Sequence, residues 1–376
     1  MFNVIRALMV IVIGAGIATP MISAAEPASG PQTVFVMTND AAKNEVIAYR
    51  QTGYGEFIEN HRYATHGRGS GGTNDPLGSQ GSLTLSEDHS WLFAANAGSG
   101  TVSVFRVVRG FLLLADTAPT GGSEPVAVAQ HQNLVYVLNA AGSGSIVAFY
   151  LGYDGRLQPI EDSTVYLSAA GAGGASITIS PDGEFLAVTE RVANNIDIFR
   201  IQPNGKLSAI VVNPSPGPGT FAASFAPDGK LIVSETGPAG ATNASAISSY
   251  AVLSGGTIAA ISQSVPTFGM ANCWNAITPD GKRVYVSNAA SATISGFTIG
   301  KSGALVPIGS TVVGSNPPGS GNLDIAVSGD GKYVYTLNSA AGAVGVFTIQ
   351  SDGTLSNVGE VGGLPKSAGF NGIAAL

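Results

Sequence analysis

Apolar residues along this chain fall into short runs punctuated by glycine, and within the runs apolar and small polar side chains alternate. A period of two reads as a half-buried strand. The pattern repeats as a unit: an apolar strand, an Asp-Gly turn, and a strand ending in Asn or Glu. A small-residue loop, a strand containing Phe, a second glycine turn and a last strand follow. The first turn recurs at Asp182-Gly183, Asp228-Gly229, Asp280-Gly281 and Asp330-Gly331. The second recurs at Asp154-Gly155, Asn204-Gly205, Ser302-Gly303 and Asp352-Gly353. Such dipeptides between alternating runs predict hairpins with type I′ turns.

The strand-end position recurs at Asn39, Asn96, Asn139, Glu190, Glu235, Asn288 and Asn338, about 50 residues apart. These are seven copies of four short strands. A lone four-stranded antiparallel sheet leaves two faces open, and stacking seven of them radially buries both, so the expectation is an all-β, seven-bladed β-propeller. The first copy begins near Val34 without a strand before it. The tail from Asn371 to Leu376 resembles the strand that opens other copies, such as Ile325-Ala326-Val327. The C-terminal strand is therefore expected to close the ring by joining the first blade, which removes the open edge.

The N-terminus has its own pattern. Arg6 precedes an apolar run from Ala7 to Ala18, followed by Pro20 and the small residues Ser23-Ala24-Ala25. This reads as a signal peptide over 1–25, giving a secreted or periplasmic protein whose single propeller domain spans 26–376. The run is too short to span a bilayer, so no membrane contact is expected once it is removed. Charged residues make up 11% of the chain and the net charge is −7, without a basic block, so nucleic acid is not an expected partner. Cys273 is the only cysteine, which excludes an intrachain disulfide. A monomer acting on a small molecule without a cofactor or metal is the expectation.

Loops joining second to third strands share one rim with the loops between blades, and the strand-end residues should ring the channel mouth there. Asn at such a place has a local explanation, since it tolerates left-handed backbone and bonds its own loop. Glu190 and Glu235 fit that explanation less well. They lie in adjacent blades, and two converging carboxylates push one pKa upward, giving an acid and a base near neutrality. Arg191 beside them is a candidate to steady negative charge. A structural Glu–Arg pair, or calcium held by the two carboxylates and Asn oxygens, are the other readings.

The longest insertion, "HRYATHGRGSGGTNDPLGSQGS" (His61 to Ser82), adds His66 as a candidate acid/base and Arg68 and Gln80 as candidate substrate contacts, unless it is simply a solvated loop. Asn272 and Trp274 in "MANCWN", with Asn288 and Asn338, complete the candidate binding set. Trp274 reads equally as a substrate platform or an inter-blade filler. The glycines Gly67, Gly69 and Gly72 match a dinucleotide-binding pattern by letters, but no helix follows. Neither a Gly-x-Ser-x-Gly elbow nor a His-Glu-x-x-His pair is present.

The stretches "LGSQGSLTLSEDHSWLFAANAGSGTVSVF", "ITISPDGEFLAVTERVANNIDIF", "NCWNAITPDGKRVYVSNAASATISGF" and "IAVSGDGKYVYTLNSAAGAVGVF" resemble the lactonase family of seven-bladed propellers. That family includes bacterial-type 6-phosphogluconolactonase and the fungal carboxymuconate lactonizing enzyme. The resemblance spans the chain beyond its first residues. It implies metal-free acid–base chemistry on a lactone ring by His, Glu and Arg at the channel mouth, with Glu190 and Arg191 as local counterparts. The chain departs from the family where those enzymes carry His ahead of an inner strand. Here that stretch is Gly173-Gly174-Ala175-Ser176, leaving His61 and His66 as substitutes. An exported protein also does not meet a cytoplasmic phosphosugar lactone. The expectation is a secreted lactonase-like enzyme opening or closing a lactone. A non-catalytic binding propeller, or a biosynthetic cyclase using the same site, are the alternatives.

Overall fold

The computed structural model describes residues 32–53 and 55–376. They form seven separate antiparallel sheets, each running from an inner to an outer strand. The first blade takes Ile373–Ala375 as its inner strand, then Thr33–Met37, Glu45–Gln51 and Phe57–Ala64. The second comprises Leu83–Leu85, Trp91–Asn96, Thr101–Val108 and Phe111–Pro119. Blades four to seven open on the inner strands Gly174–Ile179, Thr220–Phe225, Asn272–Ile277 and Asn322–Val327. Blade three opens on Pro125–His131, and its outer edge is split into Leu157–Pro159 and Val165–Tyr166, both paired to Ser145–Leu151. Each inner strand touches those of the two neighbouring blades, and the contacts run once around the ring. The signal-peptide expectation falls on residues outside those described.

Closure occurs as the tail pattern predicts. Val34 lies opposite Ala375 and Val36 opposite Ile373, so both ends of the domain share one sheet. The edge a linear array of sheets would expose is thereby paired.

Aliphatics and aromatics of the second and third strands fill the space between blades. Phe35, Phe93, Phe105, Phe199, Phe297 and Phe347 are fully buried. Two buried tyrosines tie neighbours directly: the Tyr136 hydroxyl donates to the Gly205 carbonyl and Tyr285 to the Gly353 carbonyl, each at 2.8 Å. With no disulfide among the described residues, these faces supply the stability.

The turns differ from expectation. A type I′ turn needs positive φ at two central residues, but at Asp182-Gly183 only the glycine is left-handed, at φ +72°. The reason lies in the preceding hydroxyl. Ser180 Oγ donates to Asp182 Oδ1 at 2.5 Å and accepts the Phe185 N–H at 2.9 Å, which bridges a wider turn. Thr278 with Asp280 and Ser328 with Asp330 repeat the device.

Candidate functional site

The strand-end residues do not line the mouth. All seven, Asn39, Asn96, Asn139, Glu190, Glu235, Asn288 and Asn338, are fully buried beneath the rim. Asn288 Nδ2 donates to Thr293 Oγ1 at 3.1 Å and Ser295 Oγ at 2.8 Å. Asn338 Nδ2 donates to Asn316 Oδ1 at 2.9 Å and Glu360 Oε1 at 2.6 Å. These amides satisfy buried polar groups at the ends of their blades.

Glu190 and Glu235 follow the same rule and do not converge. Glu190 accepts the Ser168 N–H at 2.7 Å, the Ser168 hydroxyl, and Asn195 Nδ2 at 3.1 Å. Glu235 accepts the hydroxyls of Ser248 at 2.6 Å and Ser264 at 2.7 Å. The two carboxylates share no partner: Glu235 turns into its own sheet, whereas Glu190 reaches Asn195 in its sheet and Ser168 in the loop joining blades three and four. Glu235 reaches a cavity of about 280 Å³ also lined by Pro218, Pro238 and Pro266. Burial raises its pKa, and the two serine hydroxyls oppose the rise.

Glu190 has one further neighbour. The Asp197 carboxyl is fully buried, meets no donor among the described residues, and lies against Glu190. Burial first, then the Glu190 carboxylate, push Asp197 up to about 9. Blades two and six place a serine in the corresponding position: Ser103 donates to the Thr65 carbonyl and Ser295 to the Thr267 carbonyl. A protonated Asp197 is the one carboxyl form able to donate as those hydroxyls do.

The channel is occupied by the insertion itself. Its second half runs inward, and Leu77, Gly78 and Ser79 are buried. Ser79 Oγ donates to the Val126 carbonyl of blade three at 2.9 Å. The Gln80 N–H donates to the Ala175 carbonyl of blade four at 2.9 Å. The Gln80 side chain accepts the Asn275 N–H at 2.9 Å and donates to Ser224 Oγ at 3.4 Å. Trp274 Nε1 donates to the Ser79 carbonyl at 2.8 Å, and its ring meets Phe221 edge-on at 5.3 Å. Gln80 and Trp274 therefore hold a plug in place. Trp274 is the inter-blade filler, fully buried. Asn272 is buried too, its amide spent on the Ala246 carbonyl.

Above the plug the structure brings together a set that sequence reasoning only partly found. Asp75, in the same insertion, is held in left-handed backbone at φ +41°, a conformation that costs a non-glycine residue about 1–3 kcal/mol. Its Oδ1 accepts two donors, the Gly78 N–H at 3.0 Å and Asn371 Nδ2 at 3.0 Å. Oδ2 accepts none among the described residues. Arg191 leans over this segment from blade four. A Cβ added to Gly78 would lie 2.8 Å from its guanidinium carbon, so the cation sits directly against this backbone. Burial pushes Asp75 up to about 6, against the pull of Asn371 and Arg191. Asp324, on the inner strand of blade seven, is pushed up to about 8 by burial, with Asp75 adding to the rise. Cys273 lies in the same field and its thiol is pushed well up by burial, which leaves it a poor nucleophile.

The insertion's first half stays at the surface. His66 and Arg68 are exposed. The Arg68 N–H donates to Ser99 Oγ at 3.0 Å, which anchors it over blade two. His61 belongs to the outer strand Phe57–Ala64, against Phe111 at 5.9 Å, and is not in the loop. Asp75 and Asp324 were legible in principle, since each is a lone carboxylate in a stretch of small and apolar residues. Among the described residues there is no cluster of three or more His, Cys, Asp or Glu side chains able to hold a metal.

The fold recurs in solved structures. A candidate 6-phosphogluconolactonase from Bacteroides uniformis is 20% identical, covering 92% of this chain and 99% of its own, with a TM-score of 0.69. The periplasmic gluconolactonase of Pseudomonas aeruginosa is 19% identical over 91% of this chain and 99% of its own, with a TM-score of 0.66. Kuenenia stuttgartiensis hydrazine synthase also matches, at 16% identity over 88% of this chain and 99% of its own, TM-score 0.59. At such identities the likeness speaks for architecture, and the last match shows that the architecture hosts other chemistry. Nothing among curated proteins matches the chain. The profile of the lactonase, seven-bladed β-propeller family matches residues 126–236 and 276–367, together just over half of the chain. The chain belongs to the lactonase family of seven-bladed β-propellers.

Proposed function

We propose that the protein hydrolyses a lactone at the rim of its central channel, with Asp75 as general base and Arg191 steadying the developing oxyanion. The observation that carries this reading is the asymmetry of Asp75: two donors hold Oδ1 while Oδ2 accepts none among the described residues, beside an exposed guanidinium. A carboxyl with a pKa of about 6 is mostly ionised at neutral pH yet basic enough to take a proton. Oδ2 removes a proton from water as the water oxygen bonds to the lactone carbonyl carbon. The carbonyl electron pair moves onto oxygen beside Arg191 and then returns, breaking the ring C–O bond. The proton on Asp75 passes to the departing alkoxide, leaving a hydroxy acid.

Gluconolactone is the first substrate to try, since the Pseudomonas relative carries that name. Asp75→Asn should lower kcat by about 10²–10⁴-fold, the usual worth of a positioned base. Unchanged turnover in that variant, at native Tm, would remove Asp75 from the mechanism. Export fits both the Ala7–Ala18 run and the periplasmic location of that relative. The mass of the mature N-terminus tests it.

A second reading has one observation in its favour. The plug at Leu77–Gln80 fills the channel, and Glu190 and Glu235 are fully hydrogen-bonded, as in a non-catalytic propeller that binds a ligand on its rim. Absence of turnover across a lactone panel, with gluconolactone binding retained by calorimetry, would favour it.

A further inference from the structure

We infer that Asn371 is a positioning residue for Asp75, so that the strand closing the ring also completes the site above it. This rests on the reading of Asp75 as the base. Asn371 is fully buried, and the bonds it makes set its amide in one orientation. Its Oδ1 accepts the Ser82 hydroxyl at 3.2 Å, which turns Nδ2 toward Asp75 Oδ1 at 3.0 Å. Ser82 ends the insertion that contains Asp75, so one amide grips both ends of that segment.

The backbone around Asn371 is fixed as well. Gly372 sits at φ +91°, and a Cβ there would come within 2.7 Å of Ser82 Oγ and 2.8 Å of Leu83 Cβ. The Met37 N–H donates to the Gly372 carbonyl at 3.1 Å, and the Ile373 N–H donates to Asp324 Oδ2 at 3.1 Å. The tail is thus stitched to blade one, blade seven and the insertion at once. The asparagines that open the inner strands of blades six and seven, two register positions earlier than Asn371, turn elsewhere. Asn272 donates to the Ala246 carbonyl and Asn322 to Ser287 Oγ. Asn371 alone among them reaches a carboxylate, and by holding Oδ1 it keeps Oδ2 directed away from the protein's own donors.

The groups facing Asp75 are Arg191 from blade four, Asp324 from blade seven, the Cys273 thiol and the Gly78 N–H. Removing the Asn371 amide takes away a donor to the charged form, so the Asp75 carboxyl should titrate higher. The test is Asn371→Ala in the full chain. It is read by the ¹³C titration of the Asp75 carboxyl and by kcat and KM on gluconolactone.

The expected result is a midpoint raised by half a pH unit or more, kcat lowered about tenfold and KM changed less than threefold. Ser82→Ala, which frees the amide to turn, should give a smaller shift of the same sign and serves if Asn371→Ala does not fold. The exchanged pair Asp75→Asn with Asn371→Asp should recover Tm without recovering turnover. An unmoved Asp75 midpoint in either single variant overturns the inference. Because that titration needs no substrate, it stands apart from the turnover of Asp75→Asn, which alone decides whether Asp75 is the base.

Discussion

Trp274 and Ser79 lie 195 residues apart in sequence, and the indole N–H of the first donates to the backbone carbonyl of the second at 2.8 Å. Through this contact a blade-six inner strand fixes a loop that begins between blades one and two. Trp274→Phe keeps the ring against Phe221 but leaves the Ser79 carbonyl without its donor. A loss of about 1–3 kcal/mol is expected from chemical denaturation, the cost of an orphaned buried acceptor. The Gln80 amide should also lose hydrogen-exchange protection beyond that global loss.

The buried carboxyl pair should make the protein weaken as pH rises. Asp197 has a folded pKa of about 9, against about 3.9 in an unfolded chain. Between those values the native state holds a proton that the unfolded state releases. The stabilisation is therefore fully present below about pH 4 and is lost progressively as pH rises toward 9. Asp197→Ser restores the hydroxyl used in blades two and six. It should flatten the dependence of unfolding free energy on pH between 6 and 9, by up to about 1.4 kcal/mol per unit. An equally steep slope in the variant would show that Asp197 is not the group responsible.

Activity should follow Asp75 in the opposite sense. A general base with a folded pKa of about 6 works when deprotonated, so kcat/KM on gluconolactone should fall tenfold per unit below pH 6. Arg191→Gln removes a group that favours the carboxylate, and the acidic limb should move upward in that variant.

Glu190→Gln separates structure from chemistry. The amide places hydrogens where Ser168 and Asn195 already donate, so stability should drop by about 1–3 kcal/mol. With the base at Asp75, kcat should stay within threefold of the parent. A hundredfold loss of kcat at unchanged stability would return the catalytic role to Glu190.

Cys273 should be silent in the native state. Its thiol is buried and its pKa is pushed well up by burial. A disulfide reagent at pH 8 should modify it only when denaturant is added. Rapid labelling of the folded protein would mean that the inner strand of blade six opens locally.

The seven-fold repeat, the four-strand blade and the closing tail were all legible in the chain, because alternation and turn residues act over a few neighbours and each copy restates them. Arg191 was legible as a charge beside a strand end, and the rim as the place where loops gather. What a buried polar side chain faces was not. Glu190 and Glu235 break the pattern as visibly as any catalytic residue would, yet hydrogen bonds to their own blades and, for Glu190, to the loop entering its blade account for both. The Asp75–Asn371 contact spans 296 residues and exists only once the ring has closed. Its geometry depends on the insertion, the last strand and two neighbouring blades packed together. Short-range preference shaped each blade. Long-range packing decided which carboxylate kept a free oxygen.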